Sequence, residues 1–317
     1  MAKRALLIVS MAFIICRVGL GRAFSEDLRL GLSALPEKAP ISQPLVELGK
    51  RLYFEKALSK GNDISCAFCH NLERYGVDNK PVSEGHNGQK GKRNAPTVLN
   101  AYLHIAQFWD GRAKDVEEQA LGPILNPIEM ALTSKEEAVS RIKAKKPYID
   151  LFKKAFPEEK DPVTFENIGK AIGAFERTLV TPSRYDRFIK GDSAALNAIE
   201  KRGLRKFKEN GCIACHNGST LGGQQFQKIG LVVPYNTDDL GRYEVTKKES
   251  DKYVFKVPSL RNVAKTAPYF HDGSVPSLAQ AVRLMGKHQL GKALSDEDVS
   301  DIVAFLGALT AENPPEY

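Results

Sequence analysis

SCAFCHN, Ser65 to Asn71, returns 146 residues later as GCIACHN, Gly211 to Asn217. Cysteines two apart serve zinc sites, redox disulfides or structure, whereas Cys-x-x-Cys followed at once by His is the pattern of covalent c-type haem attachment. The spacing follows from the chemistry: both thiols add to haem vinyl groups from one side of the ring, and the adjacent histidine then lies under the iron. The two copies use Cys66, Cys69, Cys212 and Cys215, four of the five cysteines in the chain. His70 and His216 are the expected proximal ligands, one for each of two haems. Zinc or paired disulfides are the competing readings, and the duplication favours haem.

The fifth cysteine, Cys16, falls in an N-terminus that reads as an export signal. Lys3 and Arg4 precede an apolar run, Ala5 to Cys16, and small residues follow, with cleavage expected after Ala23. The run is short for a membrane span, and no later stretch is long enough to cross a bilayer. A retained N-terminal anchor is the rival reading. Export to the periplasm agrees with haem attachment, because bacterial c-type haem is attached outside the cytoplasm. The formal charge of +8 falls to +4 once Lys3, Arg4, Arg17 and Arg22 leave with the signal. So weak a bias, in an exported chain whose lysine runs lack interleaved aromatics, excludes nucleic acid as the partner.

Apolar residues recur at helical spacing in 43–58, 134–156, 165–180, 194–209, 276–286 and 295–309, and strand-like alternation is scarce. The segment 76–92, rich in Gly, Asn, Lys and Ser, reads as a long loop. Comparing the chain with itself shows a repeat. Ala95-Pro96-Thr97-Val98-Leu99-Asn100 resembles Val257-Pro258-Ser259-Leu260-Arg261-Asn262, and ten residues beyond each Asn lies Asp-Gly, at Asp110-Gly111 and Asp272-Gly273. Each repeat lies downstream of one CxxCH, and the second half carries an insertion around 218–250. The expected division is a signal peptide over 1–23, an N-terminal domain over 24–163 and a C-terminal domain over 164–317, cut in the turn-forming Lys160-Asp161-Pro162-Val163.

The sixth iron ligand separates the possible functions. His/Met ligation suits electron transfer, whereas an open or exchangeable position suits activation of a small oxidant. Thirteen residues after Asp272 stands Met285, on an expected helix; thirteen after Asp110 stands Pro123, which cannot ligate iron. The second haem therefore has a distal methionine and the first has lost its equivalent. A gap-filling core residue is the bland reading of Met285, and packing is the reading of Met130, which lies outside the repeat position.

Around the open first site, His86 sits in the long loop as either a solvent histidine or a ligand that can leave. Glu129, in Asn126-Pro127-Ile128-Glu129-Met130, is either a surface carboxylate or the proton shuttle for O–O cleavage. Gln119 is placed to orient the oxidant. Trp109, the single tryptophan, is either packing or an electron stepping point between two haems. His271, at the repeat position of Trp109, is expected beside the second haem rather than on its iron; His104 and His288 receive no role.

These residues resemble the bacterial dihaem cytochrome c peroxidase family over essentially the whole chain beyond the signal. The motifs that carry the resemblance are Cys66 to Leu72, the Gly85-His86 loop, Arg93 to Thr97, Gln107 to Arg112, Asn126 to Met130 and Lys256 to Asn262. The resemblance implies an all-α fold of two cytochrome c-like domains, a homodimer, and a calcium ion held by Asn94 and the carbonyls of Thr266 and Pro268. It implies a peroxidatic N-terminal haem, blocked in many members by the loop histidine, here His86, and a C-terminal haem that receives electrons. The implied reaction is reduction of hydrogen peroxide with electrons from a small cytochrome c or cupredoxin. A maturase of a protein-derived quinone cofactor and a dihaem electron carrier without peroxidase activity are the alternatives.

Overall fold

Polar caps mark where the periodic segments become helices. Ser134 accepts from the Glu137 amide, Thr164 from Asn167, Asn197 from Glu200, Ser277 from Gln280 and Ser295 from Asp298, each satisfying an amide that the first helical turn leaves free. The computed structural model describes residues 28–37 and 40–312; the expected signal segment and its cleavage site lie outside them. In chain order the helices are α1 (Gln43–Tyr53), α2 (Cys66–Cys69), α3 (Val116–Leu125), α4 (Lys135–Lys143), α5 (Lys146–Ala155), α6 (Phe165–Glu176), α7 (Arg184–Ile189), α8 (Ala198–Glu209), α9 (Tyr243–Thr246), α10 (Leu278–Leu290) and α11 (Asp296–Gly307). The expected helix over 134–156 is two, α4 and α5, with Pro147 in the first turn of α5. Helix α3 carries Pro123 inside it and was not among the periodic segments.

The duplication is visible in the packing. In the first half α1 crosses α6 so closely at Gly49 that a Cβ there would fall 1.8 Å from the Ala171 carbonyl oxygen. In the second half α8 crosses α11 in the same way, with the position of a Cβ on Gly203 also 1.8 Å from the Asp301 carbonyl oxygen. The inserted segment of the second half contributes β1 (Phe226–Lys228), which pairs antiparallel with β2 (Val254–Lys256) just beyond it, in the register Phe226 to Lys256.

Two cores form. Leu48, Leu52, Ile124, Ile168, Ile172, Phe175 and Leu179 belong to the first; Tyr185, Leu204, Phe207, Ile302, Phe305 and Leu309 belong to the second. Helix α6, expected to open the C-terminal domain, instead closes the first core. A cut at 163/164 would strip α6 from the helices that bury it, so the cores divide between Leu179 and Tyr185. Periodicity reveals a buried face but not which neighbour covers it. The N-terminal stretch likewise crosses to the second half: Leu28 lies in the second core and the Leu35 amide donates to Asp186 Oδ1 at 2.7 Å. Among the described residues no helix is long and apolar enough to cross a membrane.

Candidate haem cavities

Each CxxCH motif borders a cavity. The first, about 830 Å³, is lined by Cys66, Cys69 and His70. The His70 amide closes the turn onto the Cys66 carbonyl at 2.9 Å, and His70 Nδ1 donates to the Gly76 carbonyl at 3.3 Å, leaving Nε2 for a metal. The second cavity, about 260 Å³, is lined by Cys212, Cys215 and His216. There the His216 amide reaches the Cys212 carbonyl at 3.0 Å and Nδ1 donates to the Leu221 carbonyl at 3.2 Å. Burial pushes the His216 imidazole down to about 4, so it is neutral, as a ligand must be. All four cysteines are free thiols. Unpaired thiols on the wall, with a buried imidazole oriented through Nδ1, fit a covalently attached haem in both cavities.

The walls opposite differ. Gln119 and Pro123, one turn apart on α3, line the first cavity together with Glu129, Met130 and Glu176. Met130 is also part of the first core. Met285, on α10, lines the second cavity. Glu129 Oε1 accepts from Asn126 Nδ2 at 2.9 Å. Burial raises the Glu129 carboxyl above its usual range, against the opposing pull of Arg112 and Asn126. The loop over 76–92 brings Gly85 to the first cavity, whereas the His86 side chain does not line it.

Between the cavities the halves exchange backbone hydrogen bonds at repeat-equivalent positions. The Asn94 amide donates to the His271 carbonyl at 2.7 Å, and the Lys256 amide donates to the Trp109 carbonyl at 2.7 Å. Trp109 lines both cavities, and its Nε1–H donates to the Asn94 carbonyl at 2.9 Å. Its ring meets the His271 ring edge-on at 6.4 Å. Asn94 Nδ2 donates to the Lys80 carbonyl at 2.9 Å. Thr266 and Pro268 line the second cavity, and the Asn79 amide side chain holds the carbonyls of Lys265 and Ala267 beside them at 3.2 and 2.9 Å.

Residues 43–194 match the family model for di-haem cytochrome c peroxidase and residues 200–310 the model for cytochrome c. The chain is 51% identical over 283 residues to cytochrome c551 peroxidase of Pseudomonas aeruginosa, covering 87% of this chain and 81% of that protein. The chain belongs to the di-haem cytochrome c peroxidase family. Cytochrome c551 peroxidase of Nitrosomonas europaea is 47% identical, with 98% of this chain and 91% of that protein covered. The crystal structure of a MauG-like protein associated with microbial copper homeostasis superposes with a TM-score of 0.78 at 31% identity, covering 90% of this chain and 94% of that one. Like its family, the chain has two cytochrome c-type domains and two c-type haems.

The fold of this family member assembles polar groups that sequence reasoning passed over. His104, given no role, lies with its Nδ1 3.3 Å from Lys256 Nζ, and both line the second cavity. Burial pushes the Lys256 ammonium down to about 8. Nothing in the spacing announces this pair, because the partners come from different halves. Glu176 falls within the periodic segment 165–180, and no local signal marks it as facing a cavity.

Proposed function

We propose that this dihaem cytochrome c peroxidase is an exported, periplasmic enzyme that reduces hydrogen peroxide to two waters with electrons from a small cytochrome c or cupredoxin. The observation that carries this reading is the unequal furnishing of two equivalent cavities: Pro123, Gln119 and Glu129 at the first, Met285 at the second. When bound, the haems would supply redox-active iron that exchanges electrons with the oxidant at the first site.

Glu129 takes a proton from one peroxide oxygen and returns it to the other, and its raised affinity for protons suits that exchange. Gln119 orients the oxidant by hydrogen bonding. His86 would bind the first haem only when its loop closes on the first cavity. Trp109, bordering both cavities, carries electrons between them. His70 would hold the iron of the first haem, and His216 and Met285 that of the second. Asn94 and the carbonyls of Thr266 and Pro268 bind one calcium ion, and two copies of the chain form a homodimer. Met285 at the second cavity and Pro123 at the first speak against a maturase and against a carrier with both irons permanently six-coordinate.

Stopped-flow spectroscopy tests the reading. Mixed-valence protein with calcium, mixed with hydrogen peroxide and then reduced cytochrome c, is expected to lose its high-spin signal and then oxidise the donor. Two low-spin irons at every redox level, with no peroxide reaction, would leave an electron carrier.

A further inference from the structure

Glu176 is the last residue of α6 and is 3% exposed, yet it lines the first cavity. Its carboxyl has no hydrogen-bond partner among the described residues. Placing such a group there without a partner carries an energetic cost, above all for its charged form. The fold does not require that cost. Gly49 against Ala171 and Gly203 against Asp301 are the same helix crossing, and five residues beyond Ala171 and Asp301 stand Glu176 and Leu306. Leu306 is also 3% exposed and lines the second cavity. One half therefore closes its cavity with an apolar side chain, and the half with the open iron position closes it with an acid.

The groups around Glu176 favour its protonated form. On α3, Glu117 adds a negative charge and accepts from the Arg177 guanidinium at 2.7 and 3.0 Å. Burial, reinforced by Glu117, pushes the Glu176 carboxyl up to about 8. The Cys66 thiol, also nearby, becomes a thioether in the haem-loaded protein and ceases to titrate. From α1, Tyr53 spends its hydroxyl on the His70 carbonyl. Glu129 is the other carboxyl facing this cavity.

We propose that the Glu176 carboxyl is a redox-linked proton site of the first haem, holding a proton while that haem is reduced and giving it up to the cavity when the haem is oxidised. Peroxide takes up two electrons and two protons to give two waters. Glu129 only moves a proton from one oxygen to the other, so both net protons come from elsewhere. Solvent supplies both and the redox-protein donor supplies the electrons; Glu176 answers only to the charge on the first haem. Glu176 regains its proton from solvent when an electron returns, because reduction removes a positive charge that had favoured its ionised form.

The test is a potentiometric titration of each haem in the haem-loaded protein from about pH 6 to about pH 9. In the unaltered protein, reduction of the first haem is expected to become less favourable with rising pH, approaching tenfold per pH unit, while the second haem is unaffected. Glu176→Gln and Glu176→Leu are expected to flatten that dependence; the leucine is the residue the second half uses at this position. The same dependence in both variants overturns the proposal. Reduced-minus-oxidised infrared spectra of the unaltered protein are expected to show a protonated carboxyl that disappears on oxidation, absent from Glu176→Gln. Lack of that band overturns the proposal without any variant. Peroxide turnover is measured alongside: normal turnover with no carboxyl signal removes the proton site alone, and a carboxyl signal without turnover removes the peroxidase reading alone.

Discussion

The backbone amide of His86 donates to the carbonyl of Glu129 at 2.8 Å. The loop that bears one candidate group is thus tied to the segment that bears the other. Gln89 Nε2 adds a bond to the Pro127 carbonyl at 3.2 Å, and a Cβ on Gly85 would fall 2.0 Å from the Ile128 carbonyl oxygen. Movement of the loop therefore disturbs the Glu129 segment. His86→Gly is expected to shorten the lag before peroxide turnover by fully oxidised protein. An unchanged lag in that assay removes the gating role of the loop.

Glu129→Gln keeps the shape and the Asn126 contact while removing the exchangeable proton. Turnover is expected to fall about 10²–10⁴-fold with both haem spectra intact. Normal steady-state turnover by this variant would assign the proton exchange to another group.

Met285→Leu conserves volume and removes the sulfur. The second haem is expected to lose its low-spin spectrum and to fall in potential, with the first unchanged. Absorption and electron paramagnetic resonance spectra at both sites read this directly, and an unaltered second haem would return Met285 to the role of packing.

Removing calcium with a chelator is expected to slow electron transfer between the haems, because Asn94 holds Trp109 through its carbonyl and, in the proposed calcium site, its side chain would hold the ion. Asn94→Ala is expected to weaken calcium binding in calorimetry, with the Trp109 bond retained since it uses the main chain. Calcium affinity equal to that of the unaltered protein would place the ion elsewhere.

Arg261, fully buried, grips Asp186 through two bonds of 2.6 and 3.0 Å and reaches the Ser219 carbonyl near the second motif. Burial raises the Asp186 carboxyl, but Arg261 outweighs it, and the net position is below the usual carboxylate range. A carboxyl lowered in the folded state stabilises the fold above its unfolded value, near pH 4, and loses that contribution as pH falls through the folded value. Asp186→Asn is expected to flatten the acid limb of stability. Arg261→Met strands the carboxylate, at a cost of about 3–5 kcal/mol in denaturant unfolding. An unshifted acid limb in Asp186→Asn would assign the acid sensitivity to other carboxylates.

What the sequence determined by itself was the chemistry set by local spacing and by register. Covalent haem attachment needs two thiols and a histidine within five consecutive residues, so Cys66 to His70 and Cys212 to His216 declare it without a fold. The repeat that pairs Asp110 with Asp272 then pairs Pro123 with Met285, because a duplicated domain keeps equivalent atoms at equivalent positions. Tertiary structure alone decided which core buries α6, that residues 28–35 cross to the second half, that Trp109 borders both cavities and that Glu176 faces the first. Burial and electrostatics depend on neighbours far away in sequence. A helical period announces a buried face at Phe175, but only the fold shows that the next residue, Glu176, borders the first cavity, on the helix that α1 meets closely at Gly49.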